Sequence, residues 1–473
     1  MNTRSCQVLV IGAGPGGYVA AIRSAQLGLD TVIVEADKAG GTCLIRGCIP
    51  SKAMIHAAER FESISQHSTD GGHMGIMSSS PQLDMKGLVS WKDSIVQKLN
   101  QGVEGLLKAA GAELINGWAE FLDAKTCKVK TQEGVLRIEA ENVILATGSS
   151  PIELPFMPFD EVNICSSTGA LDLNNLPSKV AIVGGGYIGL ELGCALTKLG
   201  SEVTVIEGLD SVLSIFDKEL RRPLEIWLKK HGVKLNTNCM AKGADVTDEG
   251  VTMRWTDKDG DEHSLDVDTV LVTVGRRPNT QGWGLEEMGL RMDDSGRFIA
   301  IDNQCKTNMP GVYAIGDVTG DPMLAHRASA QGEMVAEIIA GNKRIWDKVA
   351  IPAIVFTEPE IVSVGYTPDE AKEAGEDIIV GKFPLAANGR ALTLEAEKTN
   401  GFVRVIAREE DHVILGIQAV GSHVAELSGE FVLALEMGAV LEDVAATVHA
   451  HPTMTESFHE SILKTLGHAI HIS

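Results

Sequence analysis

Residues 7–17 read QVLVIGAGPGG, an apolar run that ends in a cluster of glycines. The next segment, YVAAIRSAQLG at 18–28, has apolar residues at helical spacing, and TVIVE at 31–35 is a second short apolar run. Two short apolar runs joined by a glycine turn and a helix are typical of the βαβ unit of nucleotide-binding proteins. The pattern therefore predicts a buried first strand, and it argues against a signal peptide at this end of the chain.

The same pattern occurs a second time. VAIVGGGYIG at 180–189 is followed by LELGCALTKLG at 190–200 and by EVTVIE at 202–207. A single G-x-G-x-x-G motif is weak evidence, but two complete strand–turn–helix–strand copies predict two nucleotide sites. The predicted cofactor-binding residues are Gly12, Gly14, Gly17 and Glu35 in the first copy, and Gly184, Gly186, Gly189 and Glu207 in the second.

Each residue type in these motifs has a physical task. The glycines permit a tight turn and a close approach of the backbone to a diphosphate, which the helix N-terminus stabilises. Glu35 and Glu207 are expected to accept hydrogen bonds from a ribose diol. Glu207 would repel a 2′-phosphate, and GLDSVLS at 208–214 offers no arginine or lysine to hold one, which favours NAD over NADP. Two such sites in one chain suggest FAD and NAD together.

Each repeated unit is closed by a later apolar run, VILATG at 143–148 and VLVTVG at 270–275. Their ends predict Thr147, Gly148 and Gly275 as further cofactor-binding residues. From Ile351 onward, runs rich in valine, isoleucine and phenylalanine alternate with helical patterns. The predicted fold class is α/β, with two Rossmann-like nucleotide-binding domains and a C-terminal α+β interface domain. The predicted boundaries are 1–150 for FAD binding, 151–278 for NAD binding, 279–350 for a central domain that completes the FAD site, and 351–473 for the C-terminal domain.

The composition limits the possible partners. A formal net charge of −23 argues against binding to nucleic acid or to an anionic membrane surface. No apolar run is long enough to span a bilayer. Eight cysteines in 473 residues do not form the framework of a small secreted protein.

Cys43 and Cys48, in GGTCLIRGCIPSK at 40–52, are the only close pair of cysteines. In a reducing compartment such as the cytoplasm, a close pair is more often catalytic than structural. The pair can span a distorted first helical turn, and Lys52, four residues after Cys48, shares its face and would lower its thiolate pKa. An inert disulfide or two unrelated thiols remain the alternatives. A metal site is not expected, because no second pair or histidine cluster completes one.

HAHPTMTE at 449–456 offers a candidate general base. His451, with its ring oriented by Glu456, could accept a proton from a thiol. The pair could equally be a surface hydrogen bond, and His449 remains an alternative base.

Taken together, these motifs and TNMPGVYAIGD at 307–317 resemble the pyridine nucleotide–disulfide oxidoreductase family, in the family's order and over essentially the whole chain. The likeness is greatest to members that oxidise dihydrolipoamide with NAD⁺. The resemblance implies FAD and NAD as cofactors, a homodimer formed by the C-terminal domain, and a cytoplasmic enzyme. It also implies a lipoylated acyltransferase subunit of a 2-oxo acid dehydrogenase complex as partner.

The resemblance further implies individual roles. Cys43 would be the interchange thiol and Cys48 the thiolate beside the flavin, while His451, held by Glu456, would act from the second subunit. The remaining implied contacts are a Lys52–Glu191 pair near flavin N5, Asp317 at the ribityl chain, the Ala325 backbone near the flavin N1–C2 carbonyl, and Tyr187 either over the nicotinamide pocket or in the core.

One residue departs from the family pattern. Many members have Asn-Val where this chain has Ile45-Arg46. Arg46 is either a tolerated surface change or a cation that lowers a neighbouring thiolate pKa. The main functional alternative is a reductase of the glutathione type that uses NADPH, and Glu207 argues against it. A flavin-binding subunit without turnover is the alternative from another class, but every catalytic position of the family is filled.

Overall fold

The first repeated unit forms the predicted strand, turn, helix and strand. The computed structural model describes residues 2–69, 72–248 and 250–473, and Met1, where the first predicted domain begins, lies outside them. The unit consists of β1 (Asn2–Ile11), α1 (Pro15–Gln26) and β2 (Thr31–Glu35). Val8, Leu9 and Val10 in β1 are fully buried, which confirms the prediction of a core strand.

The first sheet continues with elements from the connection between Glu35 and the closing run at 143–148. It has seven strands in the order β3-β2-β1-β6-β5-β4, with one further strand beside β6. Parallel pairing of β1 with both β2 and β6 puts their carboxyl ends at one edge, where nucleotides bind in such folds. The added elements are α2 (Gly41–Arg46), α3 (Cys48–His67), α4 (Met85–Ala110), β3 (Glu113–Asn116), β4 (Trp118–Asp123), β5 (Thr126–Thr131) and β6 (Gly134–Leu145).

Helix α4 is amphipathic and has distinct residues at both of its ends. The Asp84 side chain caps its start by accepting from the Gly87 N–H, and Gly111 ends it with a φ of 88°. Its buried side includes Leu88, Val96 and Leu107. Across the residues described, neither α4 nor any other helix is both long and apolar enough to cross a membrane.

The second repeated unit builds a parallel sheet of its own, in the order β11-β10-β9-β15-β8. Beside it lies an antiparallel sheet, β12-β13-β14, and a two-stranded ribbon of β7 and β16 lies between the two units. The elements are β7 (Ser149–Pro151), β8 (Ile164–Cys165), α5 (Ser167–Ala170), β9 (Lys179–Val183), α6 (Tyr187–Leu199), β10 (Glu202–Ile206), α7 (Lys218–Lys230), β11 (Lys234–Asn236), β12 (Met240–Thr247), β13 (Gly250–Thr256), β14 (Glu262–Val267), β15 (Thr269–Val272) and β16 (Arg276–Pro278).

After the second unit the chain returns to the first. β17 (Val312–Ala314) pairs in parallel with β6, and α8 (Ala325–Ile339) packs against α1. The close approach of α8 to α1 uses glycine, because a Cβ on Gly332 would lie 2.4 Å from the Gly16 carbonyl oxygen. The segment predicted as a central domain thus adds a strand and a helix to the first unit, while the domain boundaries themselves stay a prediction.

The C-terminal part has the predicted α+β character. Its sheet is antiparallel, in the order β18-β19-β22-β21-β20, and its helices cover one face through a core that includes Phe431 and Phe458, whose rings meet edge to face at 5.1 Å. The elements are β18 (Ala353–Val355), β19 (Glu360–Gly365), α9 (Pro368–Glu373), β20 (Ile378–Pro384), α10 (Gly389–Thr393), β21 (Phe402–Arg408), β22 (Ile414–Gly421), α11 (Ser428–Glu436), α12 (Leu441–Ala446) and α13 (Glu456–Thr465).

A buried arginine joins the C-terminal sheet to the second unit. The side chain of Arg404 in β21 is 4% exposed, and it forms ion pairs with Asp217 and Glu219 at the start of α7. Its Nε donates to Gln418 Oε1 at 3.0 Å. A buried guanidinium needs such partners because desolvation of the charge is otherwise costly.

Candidate active site

The three glycines of the first G-x-G-x-x-G motif differ in backbone conformation and in the space around them. Gly12 has a φ of 95°, which suits glycine and few other residues. A Cβ on Gly17 would lie 1.8 Å from the Gly12 carbonyl oxygen, so the close packing of helix on turn excludes any side chain. Gly14 is different, because a Cβ there would meet only the Gly41 Cα, at 3.9 Å. Its open side lies at the start of α1, where a diphosphate would approach.

The glycines of the second G-x-G-x-x-G motif repeat this geometry. Gly184 has a φ of 103°, and a Cβ on Gly189 would lie 2.5 Å from the Gly184 carbonyl oxygen. A Cβ on Gly186 would meet nothing within 4 Å. The two copies therefore match in backbone conformation and in the room they leave at the helix N-terminus.

Glu35 and Glu207 occupy equivalent positions at the ends of β2 and β10. One oxygen of Glu35 accepts from the Ala13 N–H at 2.6 Å, and one oxygen of Glu207 accepts from the Gly185 N–H. Both carboxylates are thus held beside the glycine turn, as ribose recognition requires. Burial raises the pKa of Glu35, against the backbone hydrogen bonds that lower it.

Two adjacent cavities, the outer and inner lobes of a cleft, lie beside the first G-x-G-x-x-G motif and share six lining residues. The outer lobe has a volume of about 650 Å³ and is lined by Gly12, Glu35 and Thr147. The inner lobe, of about 170 Å³, is lined by the residues to which the resemblance assigned roles in thiol exchange, at the flavin or at the nicotinamide. These are Cys43, Cys48, Lys52, Tyr187, Glu191, Asp317 and Ala325.

The residues of the cleft fit FAD. The outer lobe has the Glu35 carboxylate, the open Gly14 lies between the lobes, and the inner lobe has a cysteine pair, a lysine and the N-terminus of α8 at Ala325. An elongated ligand with a nucleoside at one end, a diphosphate in the middle and a redox ring at the other end matches this order.

Cys43 and Cys48 form a disulfide, with their Cα atoms 4.7 Å apart. Cys43 lies in α2, and Cys48 is the first residue of α3, so the helical path breaks at Gly47 between them. A Cβ at Gly47 would lie 2.9 Å from the Thr42 carbonyl oxygen. The break confirms the predicted distortion and puts Cys48 at a helix N-terminus, where a thiolate is stabilised.

The six other cysteines behave differently. All of them are buried. Burial raises the pKa of Cys6, Cys127, Cys165, Cys194 and Cys305 to about 12, so these thiols stay protonated at neutral pH. Thiolate chemistry is therefore confined to the pair in the cleft.

Lys52 and Glu191 form an ion pair, with Nζ 2.7 Å from Oε2. Glu191 is 5% exposed, and its other oxygen accepts from the Phe356 N–H at 2.9 Å. The Lys52 ammonium also lies 4.4 Å from the centre of the Phe356 ring. The pair therefore joins α3, α6 and the C-terminal part at the wall of the inner lobe.

Asp317 belongs to a chain of polar contacts that the sequence did not reveal. Ser149 Oγ donates to Asp317 Oδ2 at 2.5 Å, and Arg276 Nε donates to Ser149 Oγ at 2.8 Å. Burial lowers the pKa of Arg276, and the charge of Asp317 opposes that shift. The one signal in the sequence is that Arg276 directly follows Gly275, at the edge where ligands bind.

Thr147 is held by a second such contact. Its hydroxyl donates to the Asn279 carbonyl at 2.9 Å, and Asn279 Nδ2 donates to the Thr147 carbonyl at 2.9 Å. This reciprocal pair fixes the end of β6 at the floor of the outer lobe.

His451 and Glu456 are hydrogen-bonded, with Nδ1 2.9 Å from Oε1. The His451 side chain is 80% exposed, and its Nε2 makes no hydrogen bond within the described parts of the chain. Partial burial would raise the pKa of Glu456, but hydrogen bonds from the Thr453 N–H and His451 prevail and lower it. His451 lines neither lobe of the cleft in its own chain.

His449, the alternative base, has a different environment. Its side chain is 5% exposed, Nε2 lies 2.9 Å from Glu430 Oε1, and Nδ1 lies 2.9 Å from the Thr447 carbonyl. It also stacks on His459, with the ring centres 4.9 Å apart. Both of its nitrogens are therefore occupied, and the geometry favours His451 as the base.

The structure bears on Arg46 and Tyr187, for each of which the sequence left two roles open. Arg46 forms an ion pair with Asp37, so part of its charge is compensated away from the thiols. Tyr187 is the first residue of α6, packs against the core of the second unit and also lines the inner lobe. Burial raises its pKa. Its role at a nicotinamide stays a prediction.

Comparisons with known proteins give consistent results. The family model described as pyridine nucleotide-disulphide oxidoreductase matches residues 6–332, and the model of that family's dimerisation domain matches residues 351–462. The chain is 50% identical to a dihydrolipoyl dehydrogenase of Pseudomonas aeruginosa over 466 residues, which is 98% of each protein. It is 47% identical to a dihydrolipoyl dehydrogenase of Geobacillus stearothermophilus, over 98% of this chain and 97% of that one.

Solved structures agree with these matches. LpdA of Mycobacterium tuberculosis superposes with a TM-score of 0.88 at 28% identity, covering 96% of this chain and 99% of that one. The HOCl-induced flavoprotein disulfide reductase RclA of Escherichia coli superposes with a TM-score of 0.84 at 26% identity, over 96% of this chain and 99% of that one.

Proposed function

The chain belongs to the pyridine nucleotide–disulphide oxidoreductase family, and on that basis we propose that it oxidises dihydrolipoyl groups and reduces NAD⁺ to NADH. The observation that carries the proposal is the Cys43–Cys48 disulfide, which lines the same lobe as Lys52 and Asp317. Dihydrolipoyl groups are dithiols, and a dithiol reduces a disulfide by exchange without any further reactant.

The proposed exchange takes place at Cys43. A substrate thiol loses its proton to a base, and its thiolate attacks Cys43 Sγ, which breaks the bond to Cys48 and leaves a mixed disulfide. The second substrate thiol attacks the substrate sulfur of that mixed disulfide, closes the lipoyl ring and releases Cys43. Two electrons then reside on the cysteine pair, and Cys48 is stabilised as a thiolate by the N-terminus of α3.

Bound FAD would supply the two-electron acceptor for the reduced cysteine pair and the hydride donor for NAD⁺. The residues proposed to hold it are Gly12, Gly14, Gly17, Glu35, Thr147, Gly148, Asp317 and Ala325. Asp317 is kept in place by Ser149, and the N-terminus of α8 at Ala325 presents backbone amides with a positive dipole end. The Lys52–Glu191 pair supplies a fixed cation at the inner wall.

Glu207 supports NAD as the acceptor. A carboxylate held by the Gly185 N–H accepts hydrogen bonds from a ribose diol and repels a 2′-phosphate. Gly184, Gly186, Gly189 and Gly275 complete the proposed NAD site.

His451 is proposed to act as the base from the second subunit of a homodimer. Its Nδ1 is bound to Glu456, so the imidazole is oriented with Nε2 facing outward. His451 lines neither lobe of its own chain, so in this proposal it serves Cys43 of another copy, and the dimerisation-domain match supports that arrangement.

The proposed partner is the lipoylated acyltransferase subunit of a 2-oxo acid dehydrogenase complex, in the cytoplasm. A net charge of −23 favours a basic docking segment on that subunit. Binding should then weaken steeply as salt is added, and association that is insensitive to salt would contradict a charge-driven contact.

The proposal is tested by measuring NADH formation from dihydrolipoamide and NAD⁺ with the purified chain. Cys43→Ala should abolish turnover, whereas Cys239→Ala, at a single buried cysteine, should leave it near wild type. A protein that instead reduces oxidised glutathione with NADPH, and leaves dihydrolipoamide untouched, would overturn the proposal.

A further inference from the structure

The neck between the two lobes of the cleft has one charged residue. Six residues line both lobes, and five of them carry no charge: Gly14, Thr42, Ala146, Gly148 and Ser149. The sixth is Arg46. Among the residues that the structure describes at this neck, the only full positive charge is therefore the Arg46 guanidinium.

The orientation of Arg46 is set by an acid on the outer side. One terminal nitrogen, Nη2, is paired with Asp37, which lines the outer lobe. Nε and Nη1 make no hydrogen bond within the described residues, and the Arg46 side chain is 39% exposed, so both groups are accessible to a ligand. An arginine with one end fixed and two donor groups left over is arranged to bind an anion in the fork of its guanidinium.

The neck lies between the two ends of the cleft, and this position indicates which anion Arg46 would bind. Glu35 marks the ribose end of the cleft, and Cys48 and Lys52 mark the redox end, so the part of FAD that crosses between them is its diphosphate. The outer lobe has three further cations, Lys38, Arg277 and Arg297, but none of them lines the inner lobe. Glu35 and Asp37 lie on the outer side, and the net charge of −23 repels anions. A local cation is needed here to offset that repulsion.

We propose that Arg46 binds the diphosphate of FAD, in addition to the backbone at Gly14, and that Asp37 positions the guanidinium for this contact. The inference rests on FAD as the cofactor and concerns a side chain in which this chain departs from the family pattern. It differs from the hypothesis in which Arg46 acts on the thiols, because the guanidinium is paired with Asp37, which lines the outer lobe, where neither cysteine of the pair is found.

The test compares flavin release from three purified holoproteins. Arg46→Met keeps the aliphatic stem and removes the charge, Arg46→Lys keeps the charge, and Arg60→Met removes the same charge from an exposed position on α3. Flavin fluorescence follows release in a chaotropic salt. Arg46→Met should release FAD about tenfold to a hundredfold faster, the range that a hydrogen bond to a charged group spans. Arg46→Lys should recover most of the retention, and Arg60→Met should match wild type.

A second readout separates the two roles of Arg46. Loss of a diphosphate contact should weaken binding of ADP to the flavin-free protein and leave binding of adenosine unchanged. Release of FAD from Arg46→Met at the wild-type rate would overturn the inference, and so would a shifted disulfide potential with unchanged release. The flavin content of the wild-type protein is measured first, so that absence of FAD, which would refute the cofactor assignment, is not mistaken for failure of Arg46.

Discussion

Replacing Glu456 with glutamine should stop proton transfer while leaving the fold intact. Glu456 accepts from His451 Nδ1–H and from the Thr453 N–H at 2.8 Å. The single carbonyl of a glutamine can serve only one of these donors. If it serves Thr453, its amide N–H faces His451 Nδ1 and forces the ring proton onto Nε2. That nitrogen then cannot accept a proton from the substrate thiol.

The expected size follows from the exposure of His451. A side chain that is 80% exposed contributes little packing, so the free energy of unfolding should change by less than about 1 kcal/mol. Loss of a general base costs about 10²- to 10⁴-fold in rate, and we expect kcat for dihydrolipoamide oxidation to fall within that range. Turnover is measured with saturating substrates, and stability by urea unfolding of the same preparation.

Glu430→Gln is the matched control. His449 and Glu430 form a pair of the same length, 2.9 Å, but the His449 side chain is buried. This variant should lose about 1–3 kcal/mol of stability, because a buried hydrogen bond is disturbed, and should keep its turnover. If Glu430→Gln loses turnover and Glu456→Gln does not, then His449 is the base and the reasoning fails.

Three further outcomes are expected. Arg404→Met should lower the free energy of unfolding by about 2–4 kcal/mol, because two carboxylates lose a buried partner. Arg408→Met, at a half-buried arginine, should change it less, and equal effects in urea titrations would count against the buried network. Glu207→Ala should raise the KM for NAD⁺ about tenfold and increase turnover with NADP⁺, while the exposed Glu202→Ala should do neither. Burial raises the pKa of Glu360 to about 7. The folded state therefore favours the protonated carboxyl, and the stability this provides is full at a pH below the pKa of Glu360 in the unfolded chain and is lost as the pH rises through 7. Glu360→Gln should therefore gain stability relative to wild type, on the order of 3 kcal/mol, between about pH 5 and 8, and a pH-independent difference would refute the shift.

Local chemistry explains what could be predicted from the sequence. The turns at Gly12 and Gly184 need a positive φ and a residue without a Cβ. Glycine is the residue that meets both requirements, so the glycines of each motif predict the turn. The break at Gly47 could likewise be predicted, since two cysteines five positions apart cannot bond across an undistorted helix. The resemblance to the family also led to the Lys52–Glu191 pair, although 139 positions separate its members.

What could not be predicted depends on segments that meet only in the folded chain. Arg276, Ser149 and Asp317 come from three different parts of the sequence, and no spacing links them. The pairing of Arg46 with Asp37 could not be predicted either, because Asp37 lies nine positions away in the sequence and both cysteines lie within three. Burial of His449 is likewise invisible in a motif where His451 lies only two positions away.

The return of β17 and α8 to the first sheet sets an order of events during synthesis. β6 is made before the second unit, but its neighbour β17 and the helix that covers α1 leave the ribosome only after that unit is complete. Domains fold largely as units and in the order of synthesis. The second unit can therefore close around its own sheet while the first still has an open strand edge at β6 and lacks one wall of its cleft. Tight binding of the flavin must then be a late step. A ribosome that stalls before Val312 leaves a chain whose second unit is complete and whose first unit is not.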